Sequence, residues 1–295
     1  MSAATRPPFV DTHVHFWDMH EPQLRWASLE PGADLIAGDL DGIRSPRYMA
    51  DQFIVETRFQ NVPKCIHVQA ALGTEDPVQE TRWLQEQADR TGYPHGIVAH
   101  CDLKADDVAE QLERHLAYAN VRGIRDIIQG DRVTDPEDPA WRRGYSQLAR
   151  HGLVCCYDVV LAPQNLRKAR DLAEAYPGVV LCVDHGAIPR TPGVDFDAWR
   201  SDLAYAAGAE NVILKISGFG EVDHRWTVEG MRPWMLAGIE AFGVERCVLG
   251  TNWPIDRLAS SYGDVLDAFD QITADFSYAE RAALFCGNAE RIFRI

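Results

Sequence analysis

The feature that most restricts the fold of this chain is a repeated alternation of short apolar runs with longer amphipathic ones. After an opening strand around Phe9–Val14, the segments Cys65–Ala70, His95–His100, Val121–Ile128, Leu153–Leu161, Val179–Val183, Val212–Ile216 and Cys247–Gly250 read as strands. Each is brief, rich in apolar residues and bounded by turn residues. Helices are predicted between them: Pro77–Thr91 closed by Gly92, a stretch through Val108, Leu112 and Leu116, Trp141–Arg150 ended by Gly152, Gln164–Tyr176, Phe196–Ala207 and Val228–Phe242. Two closing helices are predicted at Tyr262–Thr273 and Tyr278–Arg291. Strands flanked by helices in this way build a parallel sheet. An open doubly wound sheet and a closed barrel both satisfy that pattern, but no Gly-x-Gly-x-x-Gly follows the first strand and polar residues gather at many strand ends. The expected fold is therefore α/β: one (β/α)8 TIM-type barrel domain over residues 1–295, with a long insertion after strand 1.

In such a barrel the chemistry sits at the C-terminal ends of the strands. Those ends carry His13 and His15, two apart and so on one face of the first strand, then His67, His100, Arg125, Tyr157 with Asp158, Asp184 with His185, Lys215 and Asn252. His67 lies between Ile66 and Val68 and reads either as a core residue or as a substrate contact. The insertion, residues 17–61, reads as an irregular stretch rich in Pro, Gly and Asp that contains Trp17 and Trp26. It would hang over the barrel mouth as a lid or pack against the barrel side.

The stretch Asp11-Thr12-His13-Val14-His15-Phe16-Trp17-Asp18 resembles the opening of the amidohydrolase superfamily, in its lactonase-like branch. Val121-Arg122-Gly123-Ile124-Arg125, Val183-Asp184-His185-Gly186, Leu214-Lys215-Ile216-Ser217-Gly218 and Gly250-Thr251-Asn252-Trp253-Pro254 continue the resemblance in order along nearly the whole chain. It implies a metal site, with His13, His15 and His185 as ligands of one divalent ion such as zinc. In the superfamily an Asp after strand 8 commonly completes that site and serves as general base. Here Asn252 stands in that place, a neutral amide that neither takes a proton near pH 7 nor adds charge to a metal. Strand 5 offers Tyr157 and Asp158 where binuclear members place a His. One weakly held ion, or none, is the expectation. The resemblance implies hydrolysis of a lactone of a sugar acid or of aromatic catabolism, by water attack on the ester carbonyl. His13, His15 or His185 would assist, Asn252 would hold water or a substrate oxygen, and Asp158 or Asp256 could act as base, Asp256 alternatively capping a turn. Arg125 and Lys215, with Tyr157, His67 and Trp17, would contact an anionic or polyhydroxylated small molecule. A metal-dependent decarboxylase of the same superfamily and a non-catalytic ligand-binding barrel are the rival readings.

The charge balance, 44 acidic against 29 basic residues for a formal −15, repels phosphate backbones and anionic membranes. Nucleic acid and membrane are thus unexpected partners, and a homo-oligomer remains open. Residues 1–8 lack the apolar core of a secretory signal, and the seven cysteines form no Cys-x-x-Cys, so the expected location is the cytoplasm and the thiols are read as small buried hydrophobes. Cys155 and Cys156, as neighbours on a strand, should point to opposite faces.

Overall fold

A computed structural model describes residues 6–30, 41–126, 135–159, 165–188 and 195–295. Ten strands run in chain order: β1 Val10–Val14, β2 Trp17–Asp18, β3 Arg47–Tyr48, β4 Lys64–Val68, β5 Gly96–His100, β6 Val121–Arg125, β7 Val154–Tyr157, β8 Leu181–Val183, β9 Val212–Ile216 and β10 Cys247–Leu249. Eight of them form one sheet in the order β1-β4-β5-β6-β7-β8-β9-β10, and every pairing in it is parallel. Just past the strand ends Val14 bridges to Trp253 in parallel, and His15 N donates to the Trp253 carbonyl at 2.7 Å, bringing the first strand to the last. The expected (β/α)8 barrel is the observed fold.

The strands are buried on both faces, as helix-covered parallel strands must be. Ile66, Val68, Val98, Val154, Cys156, Cys182 and Ile213 pack together with Phe293. These are alternate residues of successive strands and form the barrel interior, with Phe293 from the last helix covering its floor. The intervening residues, Cys155, Tyr157, Val183, Leu214 and Leu249 among them, join the larger core beneath the outer helices. Cys155 and Cys156 face opposite ways, as expected, and all seven cysteines are free thiols.

The outer helices follow the sequence signals closely. Asp138, Asp195, Thr227 and Ser261 each accept a backbone N–H at a helix start, while Gly92 and Gly152 end theirs in the left-handed conformation. Pro233 lies inside the helix Val228–Phe242 without ending it. Two expectations need correction. The stretch 17–61 is not irregular throughout: β2 and β3 pair antiparallel, and helix α1, Ala50–Thr57, follows them. Residues 31–40 lie outside the described residues, as do 127–134 and 160–164, where the ends predicted for strands four and five and the first residue of the next helix fall. The last predicted helix divides into Tyr278–Ala282 and Asn288–Phe293 around a π turn at Ala283–Gly287. Among the described residues no helix is long and apolar enough to cross a membrane.

Candidate active site

β1 shifts register against β4 between Asp11 and Val14, a local irregularity of the kind that re-aims side chains at barrel rims. Asp11 holds this bend. Its Oδ1 accepts from Thr251 N at 2.9 Å and from His13 N at 3.2 Å, and its Oδ2 accepts from the hydroxyls of Thr251 at 2.6 Å and Tyr262 at 2.9 Å. The strand that presents the two histidines is thereby tied to the loop that presents Asn252.

The imidazoles gather. The ring centroid of His13 lies 4.9 Å from that of His15 and 4.5 Å from that of His185. His185 reaches inward from the turn after β8, with a left-handed backbone (φ 53°) and Nδ1 at 3.1 Å from Ser217 Oγ. The facing backbone at Gly218 approaches so closely that a Cβ there would lie 2.4 Å from His185 Nδ1, which is why glycine stands at that position. Neither ring nitrogen of His13 has a hydrogen-bond partner. Burial, then the charge of His185, Lys215 and the neighbouring groups, holds His13 well below the usual imidazole range, and burial followed by Arg125 pushes His15 down to about 3. Both rings are therefore neutral near pH 7. A neutral imidazole carries one proton, and His15 faces two acceptors: Val68 O lies 2.8 Å from Nδ1, and Asn252 Oδ1 lies 3.3 Å from Nε2. The proton belongs on Nδ1, at the shorter contact, leaving Nε2 a bare lone pair.

The carboxylate of this cluster is Asp184. A ligand atom from each of His13, Asp184 and His185 can be chosen so that all three lie within 4.8 Å of one another. Asp184 Oδ1 accepts from the Lys215 ammonium at 2.8 Å, whereas Oδ2 is buried without a hydrogen bond, 4.0 Å from the Arg125 guanidinium. Lys215 is completely buried, 3.4 Å from Cys156 Sγ and 5.8 Å above the Phe293 ring. Burial alone would lower its pKa, but Asp184 and the thiols of Cys156 and Cys182 outweigh that and raise it, so it stays charged. Arg125 donates to Gln69 O at 2.7 Å. His13, Asp184 and His185 form a donor set suited to a divalent ion, with His15 Nε2 and Asn252 Oδ1 beside it.

Not every predicted residue joins this group. Tyr157 lies on the opposite face of β7 from the inward Cys156, 6.5 Å ring to ring from Trp141 and 3.5 Å from Asn165 O. Trp17 is sealed in the β2–β3 ribbon, its indole N–H given to Ser45 O at 2.8 Å. His67 lies on the other side of β4 from Ile66 and Val68, fully buried, 5.5 Å from the Phe16 ring and 6.2 Å from that of His15. Asp158 is half-buried just past the end of β7. Asp256 is buried behind Asn252, whose amide nitrogen donates to its Oδ1 at 2.9 Å. Asp184 stood among the polar strand ends of the sequence without a role. Its position next to His185 at the end of a strong apolar strand was the available signal.

The sequence profile described as Amidohydrolase matches residues 10–295. The chain is 36% identical over 297 residues to an uncharacterized protein of Sinorhizobium fredii, covering 97% of this chain and 98% of that one. It is 28% identical over 299 residues to an L-fucono-1,5-lactonase of Burkholderia ambifaria, covering 97% of this chain and 95% of that enzyme. A crystal structure of an amidohydrolase from Burkholderia multivorans with bound zinc superposes with a TM-score of 0.80 at 26% identity, over 98% of this chain and 99% of that one. On the profile match, which spans the barrel from β1 to the last helix, the chain belongs to the amidohydrolase family.

Proposed function

We propose that this chain is a lactonase that opens a sugar-acid or carboxylated lactone by water attack on the ester carbonyl. The observation that carries the reading is the cluster itself: three imidazoles, of which burial holds His13 and His15 neutral, and one carboxylate, with two cations beside them. The curated L-fucono-1,5-lactonase relatives support it. A lactone asks little of a catalyst beyond this. Its ester carbonyl is more reactive than an amide, so a positioned proton acceptor and a fixed positive charge toward the developing oxyanion supply the main terms. The ring of His13, His15 or His185 takes the proton of water, Asn252 Oδ1 accepts a hydrogen bond, and Arg125 orients an anionic or polyhydroxylated substrate.

A divalent ion fits the residues present. Both His13 ring nitrogens and Asp184 Oδ2 are buried without a hydrogen bond, so His13 offers one lone pair and Asp184 one carboxylate oxygen, and His185 stands beside them. Such an ion, when bound, polarises the ester carbonyl and makes water a better nucleophile. Charge limits its hold. Lys215 and Arg125 place two positive charges against the single negative charge of Asp184, and Asn252 adds none. The site therefore holds a metal weakly and favours an anion in its mouth.

The test is proton release, followed with an indicator, on a panel of sugar-acid and carboxylated lactones with chelator-treated and zinc-restored protein. Turnover above the spontaneous rate on any member is expected; silence across the panel in both states would sink the reading. Arg125→Ala should raise KM and lower kcat/KM most for carboxylate-bearing lactones. An equal loss on neutral ones would remove Arg125 as the carboxylate anchor.

A further inference from the structure

Asp256 is 2% exposed, and each of its carboxylate oxygens is committed: Oδ2 accepts from Gly220 N at 3.0 Å, Oδ1 from Asn252 Nδ2 at 2.9 Å. The fit is close enough that a Cβ on Gly220 would fall 2.9 Å from Asp256 Cγ. An ionised carboxylate accepts hydrogen bonds and donates none, so it fixes which end of the Asn252 amide faces it. The amide nitrogen points back to Asp256 and the oxygen points forward to His15 Nε2, 3.3 Å away. His15 Nδ1–H is spent on Val68 O at 2.8 Å, so Nε2 also presents a lone pair. Two acceptors thus face one another at 3.3 Å, and two facing lone pairs repel unless something electron-poor lies beside them.

We infer that Asp256 is a positioning residue whose role is to turn the Asn252 amide, making Asn252 Oδ1 and His15 Nε2 a paired notch for one electron-pair acceptor. That acceptor is an O–H group of the attacking water or a divalent cation. The kinetic part of this inference rests on the lactonase reading; the orientation of the amide does not. Asp256 acts through Asn252 and not as the base, since its two oxygens already accept from Gly220 N and Asn252 Nδ2.

The discriminating variant is Asp256→Asn. The introduced amide keeps an oxygen for Gly220 N–H, but its nitrogen then opposes the Asn252 nitrogen, donor against donor. Asn252 must turn over and donate to His15 Nε2, filling the notch. The double exchange Asn252→Asp with Asp256→Asn restores every bond with an oxygen facing His15. With ¹⁵N-labelled histidine, the His15 Nε2 resonance is expected to move from the position of a bare lone pair toward that of a hydrogen-bonded nitrogen in D256N, and to return in the exchange. In D256N kcat should fall about 10- to 100-fold, the usual effect of losing a group that orients a ligand, with KM within about twofold and Tm little changed. The exchange should recover most of kcat.

Calorimetric titration of zinc into chelator-treated protein separates the two guests. If the notch holds the ion, D256N weakens zinc affinity about 10- to 100-fold, and the exchange, which adds a carboxylate at position 252, binds zinc at least as tightly as wild type. If it holds water, zinc affinity is unmoved and the loss appears in the metal-free rate. An unchanged His15 signal in D256N, or an exchange that recovers Tm but neither kcat nor zinc affinity, would overturn the inference. Should the wild-type protein open no lactone at all, the lactonase reading falls while the histidine signal and the zinc titration still decide the role of Asp256.

Discussion

Glu80 shows how single carboxylates are used around this mouth without entering it. Its Oε1 accepts from Ala70 N at 2.8 Å and Ala71 N at 2.7 Å, closing the turn at the end of β4 whose Gln69 carbonyl receives Arg125. Burial pushes its pKa up to about 7 against the bonds from Ala70 and Ala71 and the charge of Arg125, which lower it. The folded pKa exceeds the unfolded one, so folding favours the protonated form. This contribution is fully present below the unfolded value and is lost as pH rises through about 7. Glu80→Gln keeps both accepted bonds and removes the titration. Its stability relative to wild type should therefore climb between about pH 4.5 and pH 7.5, by up to ~3 kcal/mol, measured by denaturant unfolding at several pH values. A pH-independent difference would count against Glu80 as the source. Asp11 likewise has a pKa raised to about 6 by burial against four accepted bonds. At this scale the sequence marked His13, His15, His185 and Asn252 as strand-end residues, and the structure gathers them. It could not separate Tyr157 or His67 from the inward set. In a strand buried on both faces, period-two alternation says that neighbours face apart but not which face is the interior.

Among elements, α1 is one that the composition concealed, with β2 and β3 before it. Its buried positions, Ala50, Phe53 and Thr57, have helical spacing, but eight residues following a Gly- and Pro-rich stretch give too short a signal to stand out. Its role is visible in Glu56. One carboxylate oxygen accepts from Tyr48 OH at 2.7 Å, Trp253 Nε1 at 2.9 Å and Arg257 at 2.6 Å, joining the insertion to the loop after β10. Glu56→Ala strands three donors at once and should cost about 1–3 kcal/mol. It should also raise KM, because Trp253 follows Asn252 directly. A variant with wild-type KM and faster proteolysis of the insertion alone would show that α1 packs against the barrel without bearing on the mouth. The helices Val78–Thr91, Pro139–His151, Phe196–Ala206, Val228–Phe242 and Tyr262–Ile272 were legible because each is long enough to carry its period and is closed by a glycine or opened by a capping side chain.

For the molecule as a whole, the net charge of −15 and the cationic pair behind the cluster act in opposite directions on an anionic substrate. Distant acidic residues repel it through solvent, while Arg125 attracts it at short range, and salt screens the first more than the second. For a lactone bearing a carboxylate, kcat/KM should rise between about 10 and 200 mM salt, where the screening length shortens from ~30 Å to below ~10 Å. A neutral lactone should show no such rise, and steady-state rates on the pair would check this.

The joining of β1 to the loop after β10 also has a consequence in time. During synthesis the histidine pair leaves the ribosome well before the partners that fix it: Thr251 for Asp11, the Trp253 carbonyl for His15 N and Asn252 for His15 Nε2 emerge some 240 residues later. The nascent chain therefore carries its reactive groups unassembled until the loop after β10 has been made.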